Sequence, residues 1–152
     1  MSVDTAPTNT QLSELLDRAA LSDLLSRHGR WLDEKRFDEA RSIFTEDATV
    51  VVGSGEVTGV DQIAALALRS HGDYAFTHHL TTNALIDISG DRAELTAQQL
   101  AVFCRTESEG LPRPEFTVGE RYRMSAVRTG QGWRLSHVEG DRLWRREHHV
   151  PA

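Results

Sequence analysis

A chain of 152 residues is long enough for one domain around one hydrophobic core and short for two. With 39% hydrophobic and 26% charged residues it has the proportions of a folded globular protein, which excludes disordered and fibrous classes. A net charge of -6 and a pI near 5.6 supply no basic field for a phosphate backbone, so nucleic acid is not expected as a partner.

The single cysteine, Cys104, excludes an internal disulfide and a cysteine-based zinc site. No run approaches the ~20 apolar residues of a membrane span. The first residues carry neither a basic segment nor an apolar one of the secretory kind, so the expected location is the cytoplasm, with no membrane partner.

Residues 1–9 are small and polar and read as a flexible arm. Thr8, Asn9 and Thr10 offer capping side chains for a helix from Gln11 to about Glu34. Its apolar residues, Leu12, Leu15, Leu16, Leu21, Leu24, Leu25, His28, Trp31 and Leu32, recur at three- and four-residue spacings. Lys35 to Phe44 reads as a second, short helix, and Ala48 to Val52 as a strand. Gly53-Ser54-Gly55 breaks that strand. A third helix runs from Gln62 to Ser70.

The remainder is strand-like: Thr77 to Ile88, a tight turn at Ser89-Gly90-Asp91-Arg92, then Ala93 to Arg105. A loop with two prolines covers 106–114. Glu115 to Arg128 follows, with Gly119 marking a bulge, and Trp133 to about Trp144 closes the sheet. Residues 10–146 therefore form a single α+β domain, and 147–152 a polar tail. Three helices precede a long antiparallel meander. Strands of this length curve strongly, and the expected shape is a cone of helices on a curved antiparallel or mixed sheet enclosing a pocket. Trp31, Phe44, Leu66 and Trp133 read as core.

Polar residues gather in two stretches. One is His28-Gly29-Arg30-Trp31-Leu32-Asp33, near the end of the first helix. The other is Thr77-His78-His79-Leu80-Thr81-Thr82-Asn83, where a histidine pair enters a strand. Adjacent strand residues face opposite ways, so His78 and His79 cannot bind one metal ion together, and His148-His149 lie in the tail; no metal site is expected. A carboxylate beside an imidazole fixes its tautomer and stabilises its cation. Such an imidazole takes a proton alpha to a carbonyl, or delivers one to a departing hydroxyl, near neutral pH. Strict alternation groups His78 with Leu80, Ala84, Ile86 and Ile88 on the more apolar face, and His79 with Thr81, Asn83 and Asp87 on the other. A β-bulge would reverse that assignment. Asp33 lies roughly a third of a turn from the Leu21/Leu24/His28 face and reaches a cavity only where the helix ends or bends.

The element order and several local patterns resemble the nuclear transport factor 2-like superfamily, in particular its SnoaL-like branch. The resemblance rests on the run from Arg30 to Phe37, on Ile43-Phe44-Thr45-Glu46-Asp47-Ala48, on Val57 to Ile63, on Thr77 to Asn83 and on Gly132-Trp133-Arg134-Leu135. It covers roughly Leu15 to Trp144. The catalytic pattern is similar in part to that of scytalone dehydratase. Its helix-end aspartate maps to Asp33 and its Thr-Gln-His-Phe histidine to His79. Its preceding tyrosine is replaced by Leu32, and its strand asparagine falls near Tyr122. Its second histidine, on the next strand, has no counterpart near Phe103-Cys104. The ketosteroid isomerase pattern fits less well, because its base falls at about Val52 and its helix tyrosine near His28. The Asp-Arg-Asp set of limonene epoxide hydrolase is not evident.

The resemblance implies a cofactor-independent dehydratase, isomerase or cyclase acting on a hydrophobic oxygenated molecule, such as a polyketide-like or steroid-like ring. Asp33 and His79 are then the catalytic pair. His28, Leu32, Val52, His78, Tyr122 and His137 are the substrate-binding candidates, His78 and His137 from strand alternation, which groups His137 and Glu139 with Trp133 and Leu135 on the last strand. The alternative is a non-catalytic ligand-binding or accessory subunit of the same fold. A homodimer through the outer sheet face is the family expectation.

Overall fold

In the computed structural model, residues 6–53, 55–106 and 110–148 are described. Most of the expected arm and tail, His149, Ser54 and residues 107–109 of the proline loop lie outside the described residues. Helix α1 is Asn9–Asp33. A capping box opens it: Gln11 N–H donates to Thr8 Oγ1 (3.2 Å), and Thr8 N–H donates to Gln11 Oε1 (2.8 Å). The apolar row splits in two. Leu21, Leu24, Leu25, Trp31 and Leu32 are buried, whereas Leu12, Leu15 and Leu16 are exposed, because the sheet covers only the later turns.

Helix α1 stops in a Schellman arrangement. Arg36 N–H donates to Trp31 O (3.1 Å) and Lys35 N–H to Leu32 O (3.3 Å), with Lys35 at a left-handed φ of 54°. The expected second α-helix is instead a 3-10 turn, Phe37–Ser42, a form suited to so short a run. It leads into β1 (Phe44–Val52), which begins four residues before the sequence reading placed it. A short strand missed in the sequence, β2 (Gly55–Thr58), pairs back antiparallel on β1. Helix α2 (Val60–His71) follows. The described chain thus has two α-helices rather than three, and α2 lies between strands, where the sequence reading placed its third helix.

Four long strands complete the fold: β3 (Phe76–Ser89), β4 (Arg92–Arg105), β5 (Arg113–Thr129) and β6 (Gly132–Glu147). The sheet order is β2-β1-β6-β5-β4-β3, mixed because β1 and β6 run parallel. Strand β5 takes in Pro114, expected in the loop, and this proline sits at a register shift, where a missing N–H is tolerated. Helix α1 lies across one sheet face. Leu21, Leu24, Phe44, Leu95, Met124 and Leu135 are almost fully buried between them, each apolar side chain contributing about 1.5–3 kcal/mol. A second, smaller apolar cluster of Ala101, Phe103, Phe116 and Val118 lies toward the other end of β4 and β5.

Bulges decide which side chains face inward. On β3, Thr82 pairs with Gln98 but Leu85 pairs with Thr96, so one extra residue is inserted. Asn83 sits in the bulge at a φ of 53°. Before it, Thr77 and His79 point inward and Leu80 is half exposed; after it, Ile86 and Ile88 turn inward. On β6, Ser125 pairs with His137 but Ala126 with Leu135, so Ser136 is the extra residue and inward facing passes from Leu135 to Val138. The bulge expected at Gly119 lies opposite it, at Leu143 of β6. Each insertion raises the local twist and bends the strand, which curves the sheet around α1.

Among the described residues no helix is long and apolar enough to cross a membrane. Asn83 is exposed, so its substitution tests the bulge backbone alone. Asn83→Val should destabilise the fold by about 1–2 kcal/mol and Asn83→Gly by little or nothing, as measured by urea denaturation.

Candidate active site

The last residue of α1 is an aspartate. A carboxylate at the negative end of a helix is electrostatically unfavourable, so its position needs another cause. That cause is β3, which crosses the helix end and offers three donors. Thr77 Oγ1–H donates to Asp33 Oδ1 (2.9 Å), His79 N–H donates to Asp33 Oδ2 (3.0 Å), and His79 Nδ1 lies 2.6 Å from Asp33 Oδ1. Burial alone would raise the Asp33 pKa, but the hydrogen bonds from the His79 ring, its backbone and Thr77 outweigh it and hold the carboxyl below its ordinary value. Asp33 is therefore ionised, and the proton in the short contact belongs to His79 Nδ1. The His79 side chain is 3% exposed. Its remaining nitrogen, Nε2, faces away from the carboxylate.

His79 lines a cavity of about 200 Å³. The cavity separates the two apolar clusters: Phe44, Val50 and Val138 wall it on one side, Phe103, Phe116 and Val118 on the other. Few polar groups reach it. His71, from the end of α2, places its Nε2 3.4 Å from His79 Nε2. His28 is buried against Phe44 and Tyr122, and its Nδ1 has no hydrogen-bond partner. Tyr122 OH accepts from Gln99 Nε2 (2.6 Å), and Gln99 Oε1 accepts from Thr81 Oγ1–H (2.8 Å). Burial, and then the Glu120 carboxylate, push the Tyr122 phenol far above its ordinary range, so it remains protonated. At the rim, Arg142 Nε lies 3.8 Å from Glu120 Oε1.

The structure brings most of the sequence candidates together. Asp33 and His79 are paired, and His28, Leu32, Val52 and Tyr122 line the cavity. His78 does not: the bulge at Asn83 turns it outward, where it is exposed, and reverses the assignment that strict alternation made. His137 does not line the cavity either. The bulge at Ser136 turns it away, and its Nδ1 contacts Thr49 Oγ1 at 2.6 Å. The Cys104 thiol is raised by burial and lies outside the cavity lining, so nothing activates it. Among the described residues, no three His, Cys, Asp or Glu side chains gather as a metal site, and His148 is engaged by Thr117 Oγ1 (2.7 Å). The group that sequence reasoning missed is His71. It closes an amphipathic helix beside Gly72, and only the contact between α2 and β3 reveals it.

This arrangement, a helix-end aspartate on a strand histidine over a curved mixed sheet, coincides with a family-model match over residues 13–139, described as a SnoaL-like domain. The chain belongs to the SnoaL-like domain family. Solved structures share the fold. Protein Kfla4162 of Kribbella flavida is 29% identical with a TM-score of 0.78, over 88% of this chain and 95% of its own. A protein of Novosphingobium aromaticivorans, provisionally named a scytalone dehydratase, is 21% identical with a TM-score of 0.76, over 91% and 92%. A type 2 hexachlorocyclohexane dehydrochlorinase, LinA, is 23% identical with a TM-score of 0.78, over 92% and 97%. The last two likenesses show a shared fold, which a further structure from Novosphingobium aromaticivorans, described as an ntf2-like protein with a cystatin-like fold, also has, at 24% identity and a TM-score of 0.72 over 91% of this chain and 92% of its own. A search of curated proteins finds no match.

A buried histidine, His28, and a half-buried one, His71, make stability depend on pH. Burial first, then the facing His79 and His71, lower the His28 pKa to about 3. Burial and His79 likewise lower His71 to about 4. The native state keeps both rings neutral, while the unfolded chain protonates them below about 6.5. Their contribution to stability is therefore fully present above that pH and is lost as pH falls, by about 1.4 kcal/mol per ring per unit at most. Urea midpoints should fall from pH 7 to pH 5, and His28→Leu should lose less over that interval than the parent chain.

Proposed function

We propose that the protein is a cofactor-independent acid/base enzyme that eliminates water, or a comparable leaving group, from a small hydrophobic oxygenated molecule. The observation that carries this reading is the Asp33–His79 pair, with His79 Nε2 turned from the carboxylate toward an apolar cavity. Asp33 fixes the Nδ1–H tautomer and leaves Nε2 bare. That nitrogen takes a proton from the carbon alpha to a substrate carbonyl. Asp33 then stabilises the imidazolium, and the electron pair of the broken C–H bond expels the group on the neighbouring carbon. His28 and Tyr122 offer polar atoms among largely apolar walls, suited to orienting substrate oxygens. None of these steps requires a metal or an organic cofactor.

Two similarly folded proteins, named for loss of water and of hydrogen chloride, support elimination over isomerisation or ring closure. The cavity, about 200 Å³, is below the range usual for drug-sized ligands, which favours a substrate of one or two rings.

The outer sheet face supports a second copy of the chain as partner. Leu80, Leu100, Gly119 and Trp144 fall in one row across four strands, and the three large side chains are 50%, 38% and 49% exposed. Light scattering at micromolar concentration should give a mass above that of one chain.

With a bicyclic β-hydroxyketone as probe, followed by absorbance of the conjugated product, Asp33→Asn and His79→Asn should each lower turnover about a hundred- to ten-thousand-fold with unchanged circular dichroism. Full activity in both variants would overturn the assignment. A probe that is bound and released unchanged would favour a ligand-binding subunit instead.

A further inference from the structure

The two imidazoles that meet in the cavity are not equivalent, and the protons around them can be assigned one by one. Ser70 Oγ lies 2.8 Å from Leu66 O, so the serine proton is donated along the helix. Ser70 Oγ then presents lone pairs to His71 Nδ1 at 2.8 Å, and Ala67 O presents its own at 3.3 Å. Both neighbours of His71 Nδ1 are acceptors, so Nδ1 carries the ring proton and Nε2 is bare. On the other side, Asp33 fixes the His79 proton on Nδ1, so His79 Nε2 is bare as well. Two lone pairs thus face each other across 3.4 Å, an arrangement that one added proton turns from repulsive to attractive.

We propose that His71 is the second imidazole of the site: its Nε2 accepts from the proton that His79 takes from the substrate, so that the two rings hold one proton between them beside the leaving group. The proposal rests on the elimination reading. In the step, the substrate C–H bond breaks, its electron pair becomes the new double bond, and the carbon–oxygen pair leaves with the hydroxyl. The proton passes to His79 Nε2, is shared with His71 Nε2, and joins the departing hydroxide as water. No electron is gained or lost.

The surroundings keep His71 an acceptor. Asp33 at the end of α1, Lys35 just beyond it, His28 from its last turns and His79 from β3 are the titratable groups that act on it. Burial first, then His79, then Lys35 disfavour a charge on His71, outweighing the Ala67 carbonyl. Lys35 Nζ is itself buried without a hydrogen-bond partner, held by a residue in left-handed backbone. Phe103 packs on both rings, 5.4 Å from His71 and 5.9 Å from His79. His71 thus acts through His79 and is a positioning residue.

The test uses the full chain with ¹⁵N-labelled histidine. The nitrogen spectrum of the wild type should show His71 as the neutral Nδ1–H tautomer at pH 8, and one proton taken up by the His71–His79 pair down to pH 5. A neutral Nε2–H tautomer for His71, or two protons on the pair, would overturn the proposal whether or not the protein turns over the probe. With the bicyclic β-hydroxyketone, His71→Phe and His71→Asn should lower kcat at least tenfold with KM changed less than threefold. They should also move the acidic limb of the kcat/KM profile about one pH unit lower, because the acceptor that stabilises the protonated pair is gone. Unchanged kcat and profile in both variants would refute the role while leaving the Asp33–His79 reading intact. Loss of turnover in Asp33→Asn alone, with His71 silent, is the outcome that separates the two.

Discussion

Asp33 ends a 25-residue helix with a negative charge, against the helix dipole, and is held there by donors from a strand more than forty positions later. Everything else in the site follows from that junction. The Schellman end at Lys35 stops α1 at the residue where Thr77 and His79 can reach the carboxylate. The same contact ties α1 to the edge strand β3, which pairs on one side only. One ionised carboxylate therefore anchors a helix, fixes a tautomer and pins a sheet edge. The helix carries the cost at its own terminus, and the strand offsets it with hydrogen bonds to a charged group, which are stronger than neutral ones.

The cavity is the complement of that junction. Two apolar clusters fill the ends of the space between α1, α2 and the sheet, and the gap between them is walled by aromatic and branched side chains. In such surroundings an unpartnered polar atom is costly, which makes the unpartnered Nδ1 of His28 and the bare Nε2 of His71 and His79 conspicuous. Each is neutral for lack of solvation or is balanced by Asp33. A ligand that supplies a donor or a proton there meets groups already oriented for it.

The sequence made the fold class and the Asp33–His79 pair legible, the first through helical and strand periodicity and the second through the resemblance carried by Leu32-Asp33 and Thr77-His78-His79. It misdirected wherever a single inserted residue changed the facing of a strand. Alternation counted through Asn83 put His78 inward, and alternation counted through Ser136 put His137 beside Leu135; both assignments reverse once the bulges are in place. Asn83 was open to reading as a bulge residue, since asparagine tolerates a left-handed backbone, whereas Ser136 carries no such mark. His71 was hidden for another reason: a contact between a helix end and a strand eight residues later depends on the path of the loop, which periodicity does not encode. The short strand β2 was lost among the glycines around Ser54.

The strand order β2-β1-β6-β5-β4-β3 has a consequence for how the chain acquires its structure. Strand β1 is made early and β6 last of the six, yet among the described residues it is β6 that joins β1 to β5, β4 and β3. On a ribosome, β1 and β2 emerge as an isolated two-stranded ribbon, too small to persist in water, and wait for about ninety residues of chain before their neighbour exists. Pairing over so long a separation makes closure of the sheet slow compared with formation of α1 or of the β3–β4 hairpin. Until it closes, the inner faces of β1 and α2 lie open to solvent, and Val50, Ile63 and Ala67 are surfaces on which a nascent chain would aggregate or engage a chaperone.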